Sequence, residues 1–151
     1  MTGKTGMDFV KNGIDIYRKR IVKYIPFNIK VIQDLKNTGS YPETVIKEKE
    51  GKLILSSVSD EDFLILLDEK GIEMNSRSFS GLIQNKMNTA TKHLVFLTGG
   101  AYGFSEAVYA RADEKMALSK MTFSHQIIRI IFMEQLYRAL SIIHGDPYHH
   151  D

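Results

Sequence analysis

The sequence predicts an α/β fold built on a mainly parallel sheet, and three observations carry that prediction. Two short uninterrupted apolar runs, Phe63–Leu67 and Leu94–Leu97, have the length of strands and no polar face, the mark of parallel strands covered on both sides. Around them, apolar residues recur at helical spacing. The two kinds of segment alternate along the chain, as they do when helices cross over between parallel strands. A length of 151 residues makes one domain over 1–151 the expectation, long enough to bury a core without disulfides or metals. Hydrophobic residues at 43% and charged residues at 25% are ordinary for a soluble globular chain. The absence of cysteine excludes a disulfide framework, a thiol nucleophile and a cysteine metal site. Neither a basic-then-apolar leader nor an apolar run of membrane-spanning length is visible, so the cytoplasm is the expected address.

Taken in order, Val10, Ile14, Tyr17, Ile21 and Tyr24 recur at steps of four and three, which predicts a helix that Pro26 ends. Arg18, Lys19, Arg20 and Lys23 lie beside that stripe. Phe27–Ile32 alternates well enough for a half-buried strand, and Asn37–Pro42 is a loop. Glu43–Ser57 reads as a helix in which Gly51 costs about 1 kcal/mol of propensity against Ala, so a close packing contact or a break is expected there. The strand Phe63–Leu67 is followed by the turn Asp68-Glu69-Lys70-Gly71. A helix over Ser76–Thr91, the strand Leu94–Leu97, a short helix over Ser105–Glu114 and a short strand over Met116–Leu118 come next. The longest helix, Ile127–Ile143, is apolar around most of its circumference, which suggests burial on more than one side and makes a partner subunit a natural second cover. Glu134 and Arg138 stand four apart on it, in the favourable order for an ion pair.

Charge is uneven. Residues 1–52 carry 11 Lys/Arg against 6 Asp/Glu, whereas residues 91–151 carry 6 of each. A basic front half is compatible with a polyanionic partner and equally with a solvated helix face. Chemistry concentrates between Leu94 and His150. In open α/β sheets ligands settle beyond the carboxyl ends of strands, where both Leu67 and the turn Gly99-Gly100-x-x-Gly103 lie. Glycines there let a ligand approach the backbone, although this turn is not the full dinucleotide fingerprint. A second turn, Ser119–Phe123, precedes the long helix, which Thr122 or Ser124 is placed to cap. His125 falls in the first helical turn, where the dipole disfavours imidazolium; it is either a proton acceptor or a satisfied structural histidine. Tyr148-His149-His150 is either a frayed tail or a set of groups that stack on a nucleobase and hold phosphate. The sequence offers no metal-like His/carboxylate cluster, P-loop or Ser-His-Asp set.

Four blocks, Phe96–Gly103, Leu118–Gln126, Glu134–Ala139 and Pro147–His150, closely resemble, in order, those of the bacterial ribosomal RNA large-subunit methyltransferase H family of the SPOUT superfamily. Gly3-Lys4, Tyr17–Arg20 and Lys47–Gly51 extend the resemblance over nearly the whole chain. It implies a SPOUT-type, mainly parallel sheet with helices on both faces, and a C-terminal trefoil knot that folds an S-adenosylmethionine site. It further implies a homodimer that methylates N3 of a pseudouridine in 23S rRNA of the assembled ribosome, with no metal and no membrane involved. By position, Leu67, Gly99 and Leu118, Ser119, Lys120, Met121, Thr122 and Phe123 correspond to cofactor contacts, and Gly100 and Gly103 join them from the turn itself. His125, Arg138, Tyr148 and His149 correspond to the substrate side.

On this reading His125, or water held by it, takes the N3 proton, and His149 is the alternative base. Arg129 and Arg138 hold phosphate or the uracil carbonyls. Two rivals stay open: a SPOUT methyltransferase with a different RNA target, and a non-catalytic ribosome-binding module that keeps the fold. The chain departs from the family pattern twice. Family members begin with a strand before the Gly-Lys pair, whereas only Met1-Thr2 precede Gly3, so most of that strand is expected to be missing. Ser124 stands where the family usually has Pro, a change between two residues that both suit a helix start.

Overall fold

The computed structural model describes residues 7–33, 35, 38–89 and 91–148. The expected first-strand remnant before Gly3 lies outside them. The described elements are α1 (Asp8–Ile21), a single 3-10 turn at Thr38–Ser40, α2 (Glu43–Leu55), β1 (Phe63–Glu73), α3 (Ser76–Asn88), β2 (Leu94–Thr98), α4 (Glu106–Arg111), β3 (Glu114–Ala117) and α5 (Ile127–His144). The expected elements are present, with ends shifted by one to three residues in most cases. Two differences are larger.

The sheet has three strands in the order β2-β1-β3, and both pairings are parallel. β1 is central and its apolar run is divided between two layers. Ile65 and Leu67 share one core cluster with Val10 and Ile14 of α1, Phe79 and Ile83 of α3, and Phe132, Met133 and Leu136 of α5. Leu64 and Leu66 face the other way, onto Ile54 of α2 and Val108 of α4. Helices therefore cover both faces, which is why β1 lacks the polar alternation of a half-exposed strand.

The first large difference is the length of β1, which continues to Glu73 beyond the expected turn. Met116 of β3 is paired with Leu67 and again with Ile72, so the chain between them leaves the ladder and returns. Asp68–Gly71 is thus a bulge in a strand, where polar residues mimic a turn. The second is Phe27–Ile32, which does not form a strand: only Ile32 makes a β-bridge. The alternation is real, but a strand also needs a partner for its backbone groups. A cavity of about 870 Å³, lined by Ile25, Phe27 and Ile29 on one side and Leu94 and Phe96 on the other, separates this segment from the edge strand β2.

The helices end for local reasons. The stripe on α1 buries Val10, Ile14 and Ile21, and its last turn carries Arg18, Lys19 and Arg20, cations that suit a helix carboxyl end. The side chain of Asn75 caps α3 by accepting the Ser78 N–H at 2.8 Å. α5 stops at Gly145, whose φ of +71° is left-handed; Gly145 N–H donates to Ile142 O and Asp146 N–H to Ser141 O, the paired bonds of a Schellman ending. Among the described residues, no helix is long and apolar enough to cross a membrane.

Candidate functional site

On one side of the sheet lie three segments: the Asp68–Gly71 bulge within β1, the turn at 99–104 after β2 and the turn at 118–124 after β3. Together they enclose a cleft of about 700 Å³. Leu67, Gly99, Gly100 and Gly103 line it from the first two, and Leu118, Ser119, Met121, Thr122 and Phe123 from the third. Nine of the ten residues expected to contact a cofactor thus share one wall-to-wall space.

The glycine turn is held in shape from behind. Gly103 has φ +77°, the left-handed region glycine favours, and its N–H donates to Gly100 O at 3.3 Å. A Cβ on Gly100 would stand 2.5 Å from Glu50 Oε2, so any side chain there would have to displace the Glu50 carboxylate of α2. The next residue of α2, Gly51, packs directly on Ser105 at the start of α4. Of the two outcomes expected at Gly51, the structure has the close contact, and α2 runs through it unbroken.

Lys120 is the exception among the ten. Its Nζ donates to Glu69 O at 3.3 Å and Gly71 O at 3.1 Å, and it is absent from the cleft lining. Thr122 Oγ1 donates to Glu69 Oε2 at 2.7 Å, and Met121 N–H to Ser119 Oγ at 3.0 Å. These bonds tie the 118–124 turn to the β1 bulge and to itself. Met121, 75% exposed, projects at the cleft edge.

Sequence reasoning missed the acidic side of the cleft. Asp68, Glu69 and Glu106 line it together with Tyr109. Asp68 accepts the Tyr109 hydroxyl at 2.5 Å and the Lys70 N–H at 2.8 Å. Burial, then the bond to Asp68, pushes the Tyr109 phenol well above its ordinary range, so it stays a donor. The signal was available: Asp68 is the first residue after the buried apolar run Phe63–Leu67, and ligands settle where such runs end.

His125 also lines the cleft, half-buried. It stands just ahead of Ile127, where α5 is regular, and within the turn closed by the Ile128 N–H to Ser124 O bond, the first hydrogen-bonded turn of the helix, as expected. Ser124 closes that turn: its Oγ accepts the Ile127 N–H at 3.3 Å and its carbonyl the Ile128 N–H at 3.1 Å. Ser124, and not Thr122, therefore tends the helix start.

The remaining expected residues gather elsewhere. Arg138 donates from Nε and a terminal nitrogen to Glu134 Oε1 at 3.1 and 2.6 Å, and its guanidinium lies 5.1 Å from the Tyr148 ring centre. The Tyr148 ring meets Tyr137 edge-on at 4.6 Å, and its hydroxyl stands 3.5 Å from that of Tyr17 and 3.4 Å from Glu134 Oε1. The bond with Tyr17, then burial, raises the Tyr148 phenol to about 12. Tyr24 donates to Asp146, and that bond, then burial, raises its phenol to about 12. Up to Tyr148 the tail is docked, not frayed. His149 and His150 lie outside the described residues. Arg129 stands apart from both groups and is fully buried in the chain. Ile128 lines the cleft and Arg138 belongs to the tail cluster. Ten residues of helix separate them, a rise of about 15 Å. Among the described residues, no three His, Asp or Glu side chains converge as for a metal.

Comparison with known proteins points the same way. A family model described as "Predicted SPOUT methyltransferase" matches residues 1–149. The chain is 53% identical to Ribosomal RNA large subunit methyltransferase H of Parabacteroides distasonis over 149 residues, 99% of this chain and 95% of that protein. It is 53% identical to the protein of the same name from Christiangramia forsetii over 148 residues, covering 98% and 94% of the two chains. Against that of Bacteroides thetaiotaomicron it is 50% identical over 151 residues, 100% and 96% of the two.

Proposed function

Since the chain belongs to the ribosomal RNA large subunit methyltransferase H family of SPOUT methyltransferases, we propose that it methylates N3 of a pseudouridine in 23S rRNA of the assembled ribosome, with S-adenosylmethionine as donor. The observation that carries this is the cleft in which Leu67, the glycine turn and Leu118–Phe123 meet. Its volume suits a cofactor of that size. At Gly103 a Cβ would meet nothing within 4 Å, which leaves room for a ligand against the backbone. Leu67, Leu118 and Phe123 offer apolar faces to a nucleoside, and the turn's backbone offers donors and acceptors to its edges. The family's trefoil knot is part of this proposal, with the 118–124 turn and α5 as its C-terminal portion.

When bound, S-adenosylmethionine supplies an electrophilic methyl group on its sulfonium. The chain's own task is then alignment and proton removal. His125 lines the cleft and takes the N3 proton directly or through water. Arg138 and Tyr148 hold the nucleotide; Tyr148, with its phenol near 12, remains a neutral donor at the pH of the cell. Because the docked tail is about 15 Å along α5 from the cleft, the site is completed by the tail of a second copy, His149 included. Exposed Phe9 and Ile16 on α1, and Met121 beside the cleft, are apolar surface that such a homodimer would cover.

The test is calorimetric titration with S-adenosylmethionine, followed by methyl transfer to ribosomes with mass spectrometry of the rRNA. Binding with a new methyl on one 23S pseudouridine is the expected result. A protein that binds no cofactor is a non-catalytic module, and methylation of another RNA alone moves the target elsewhere in the superfamily.

A further inference from the structure

We propose that Arg20, held between Tyr17 and Tyr137, is an RNA contact that carries the substrate surface from the C-terminal tail onto the end of α1, where it takes a phosphate of the single-stranded loop. The proposal rests on the reading that the partner is rRNA, and deepens it.

The geometry is a row of alternating cations and rings. The Arg20 guanidinium lies 5.6 Å from the Tyr17 ring centre and 5.4 Å from that of Tyr137. Tyr148 packs on Tyr137, and Arg138 lies over Tyr148. The row therefore joins α1, α5 and the tail, drawn from both ends of the sequence. Its two arginines differ in one respect. Arg138 is neutralised by Glu134. Arg20 is exposed, and among the described residues no carboxylate pairs with it. The acids around it are otherwise engaged: Asp146 accepts from Tyr24, and Glu134 from Arg138. The acids of α1, Asp8 and Asp15, precede its last turn, which presents Arg18, Lys19 and Arg20, with exposed Lys23 just beyond.

Stacking orients the guanidinium plane and leaves its N–H edge for an acceptor. A phosphate is the acceptor whose charge and fork geometry match. Ring faces beside a cationic groove are how proteins bind unpaired RNA, through base stacking and backbone contact. An acidic peptide would use the charges and leave the rings idle.

The bland account is that Arg20 fastens α1 to α5 and complements the helix dipole. The two accounts part on salt dependence. The full chain and its Arg20→Gln, Arg20→Ala and Arg20→Lys variants, each labelled with fluorescein, are titrated with intact ribosomes, by anisotropy across a potassium chloride series. One lost phosphate contact to a single strand should flatten log K against log salt by about 0.7. The expected pattern is that flattening in Arg20→Gln and Arg20→Ala, with affinity at 0.1 M salt several-fold lower. Arg20→Lys should keep the slope while losing affinity, since charge stays and stacking goes. Affinity for S-adenosylmethionine should be the parent's in all three. An unchanged slope in Arg20→Gln overturns the proposal, even with a lowered melting temperature, because that is what a fastener would show. A slope lost equally in Arg20→Lys overturns it as well. Failure of the parent protein to bind ribosomes at any salt would instead remove the rRNA reading on which the proposal stands.

Discussion

Gly71→Ala is the substitution whose consequence is most closely determined by the structure. Gly71 is buried where β1 rejoins β3 after its bulge. A Cβ built there lies 2.5 Å from Met116 N, 2.6 Å from Met116 C and 2.7 Å from Lys115 C. All three are backbone atoms of the neighbouring strand, so no side chain can turn aside and the strands themselves must part. Overpacking costs about 1–3 kcal/mol, and the absence of a soft neighbour puts this case at the upper end. At about 2–4 °C per kcal/mol for a domain of this size, the melting temperature should fall by about 6–12 °C. Gly81→Ala is the opposing control: it lies inside α3 with nothing within 4 Å of its Cβ, so Ala should gain about 1 kcal/mol of helix propensity and melt slightly higher. Circular-dichroism melts at matched protein concentration compare the two, since assembly shifts apparent stability. The cleft should register the change too, because Gly71 O accepts from Lys120 and β3 leads into the 118–124 turn. Weaker binding of S-adenosylmethionine is therefore expected alongside. A Gly71→Ala protein melting within about 2 °C of its parent would refute the close approach of β1 to β3 at the bulge.

Three other outcomes follow from the site. Lys120→Met removes two bonds that tether the turn but no cleft contact, so cofactor affinity should drop by no more than about tenfold, the worth of roughly 1–1.5 kcal/mol; a loss of about a thousandfold would place Lys120 on the ligand. His125→Ala should lower methyl transfer by about a hundredfold or more with calorimetric cofactor affinity nearly intact, whereas an unchanged rate takes His125 out of the chemistry. Alkali should release the tail: the Tyr24 phenol, near 12 in the fold against an ordinary 10.0, stabilises the folded chain fully below pH 10 and loses that contribution as pH rises through 12. Denaturant melts between pH 9 and 12 should accordingly fall more steeply for the parent than for Asp146→Ala, and equal slopes would show that Asp146 is not what raises Tyr24.

What could be read from the sequence was whatever local pattern determines. The run Phe63–Leu67 announced a strand covered on two sides because burial on both faces removes polar alternation, and β1 has that environment. The glycine turn was legible for a similar reason, since a left-handed residue at Gly103 and the crowding behind Gly100 leave few other choices. Features that depend on a distant partner were not legible. Phe27–Ile32 alternates like a strand, yet pairing depends on what lies beside it, and a cavity separates it from β2. Asp68–Gly71 has the composition of a turn, and only the double pairing of Met116 makes it a bulge. Lys120 sits among cleft-lining residues in the sequence, but its long stem carries the charge back to β1. The family resemblance named ten residues, nine of which line one cleft, and could not separate the tether from the wall.

The tail shows why a list of site residues differs from a site. Tyr148 is fixed to this chain's own α1 and α5 by Tyr17, Tyr137 and Glu134, and Asp146 is fixed by Tyr24. For Tyr148 to act at its own chain's cleft, those contacts would all have to break, and the tail would have to travel about 15 Å back along α5. Three part-buried hydrogen bonds and two ring contacts would be given up with nothing described to replace them. Supplying the same tail from a second chain costs none of this, because each copy keeps its cluster intact and α5 acts as a spacer of constant length. Under the proposed methyl transfer, the rigidity of the tail is thus itself a reason for the active form to be a dimer. Arg20, on the helix against which the tail is docked, would then travel with it to the neighbouring cleft.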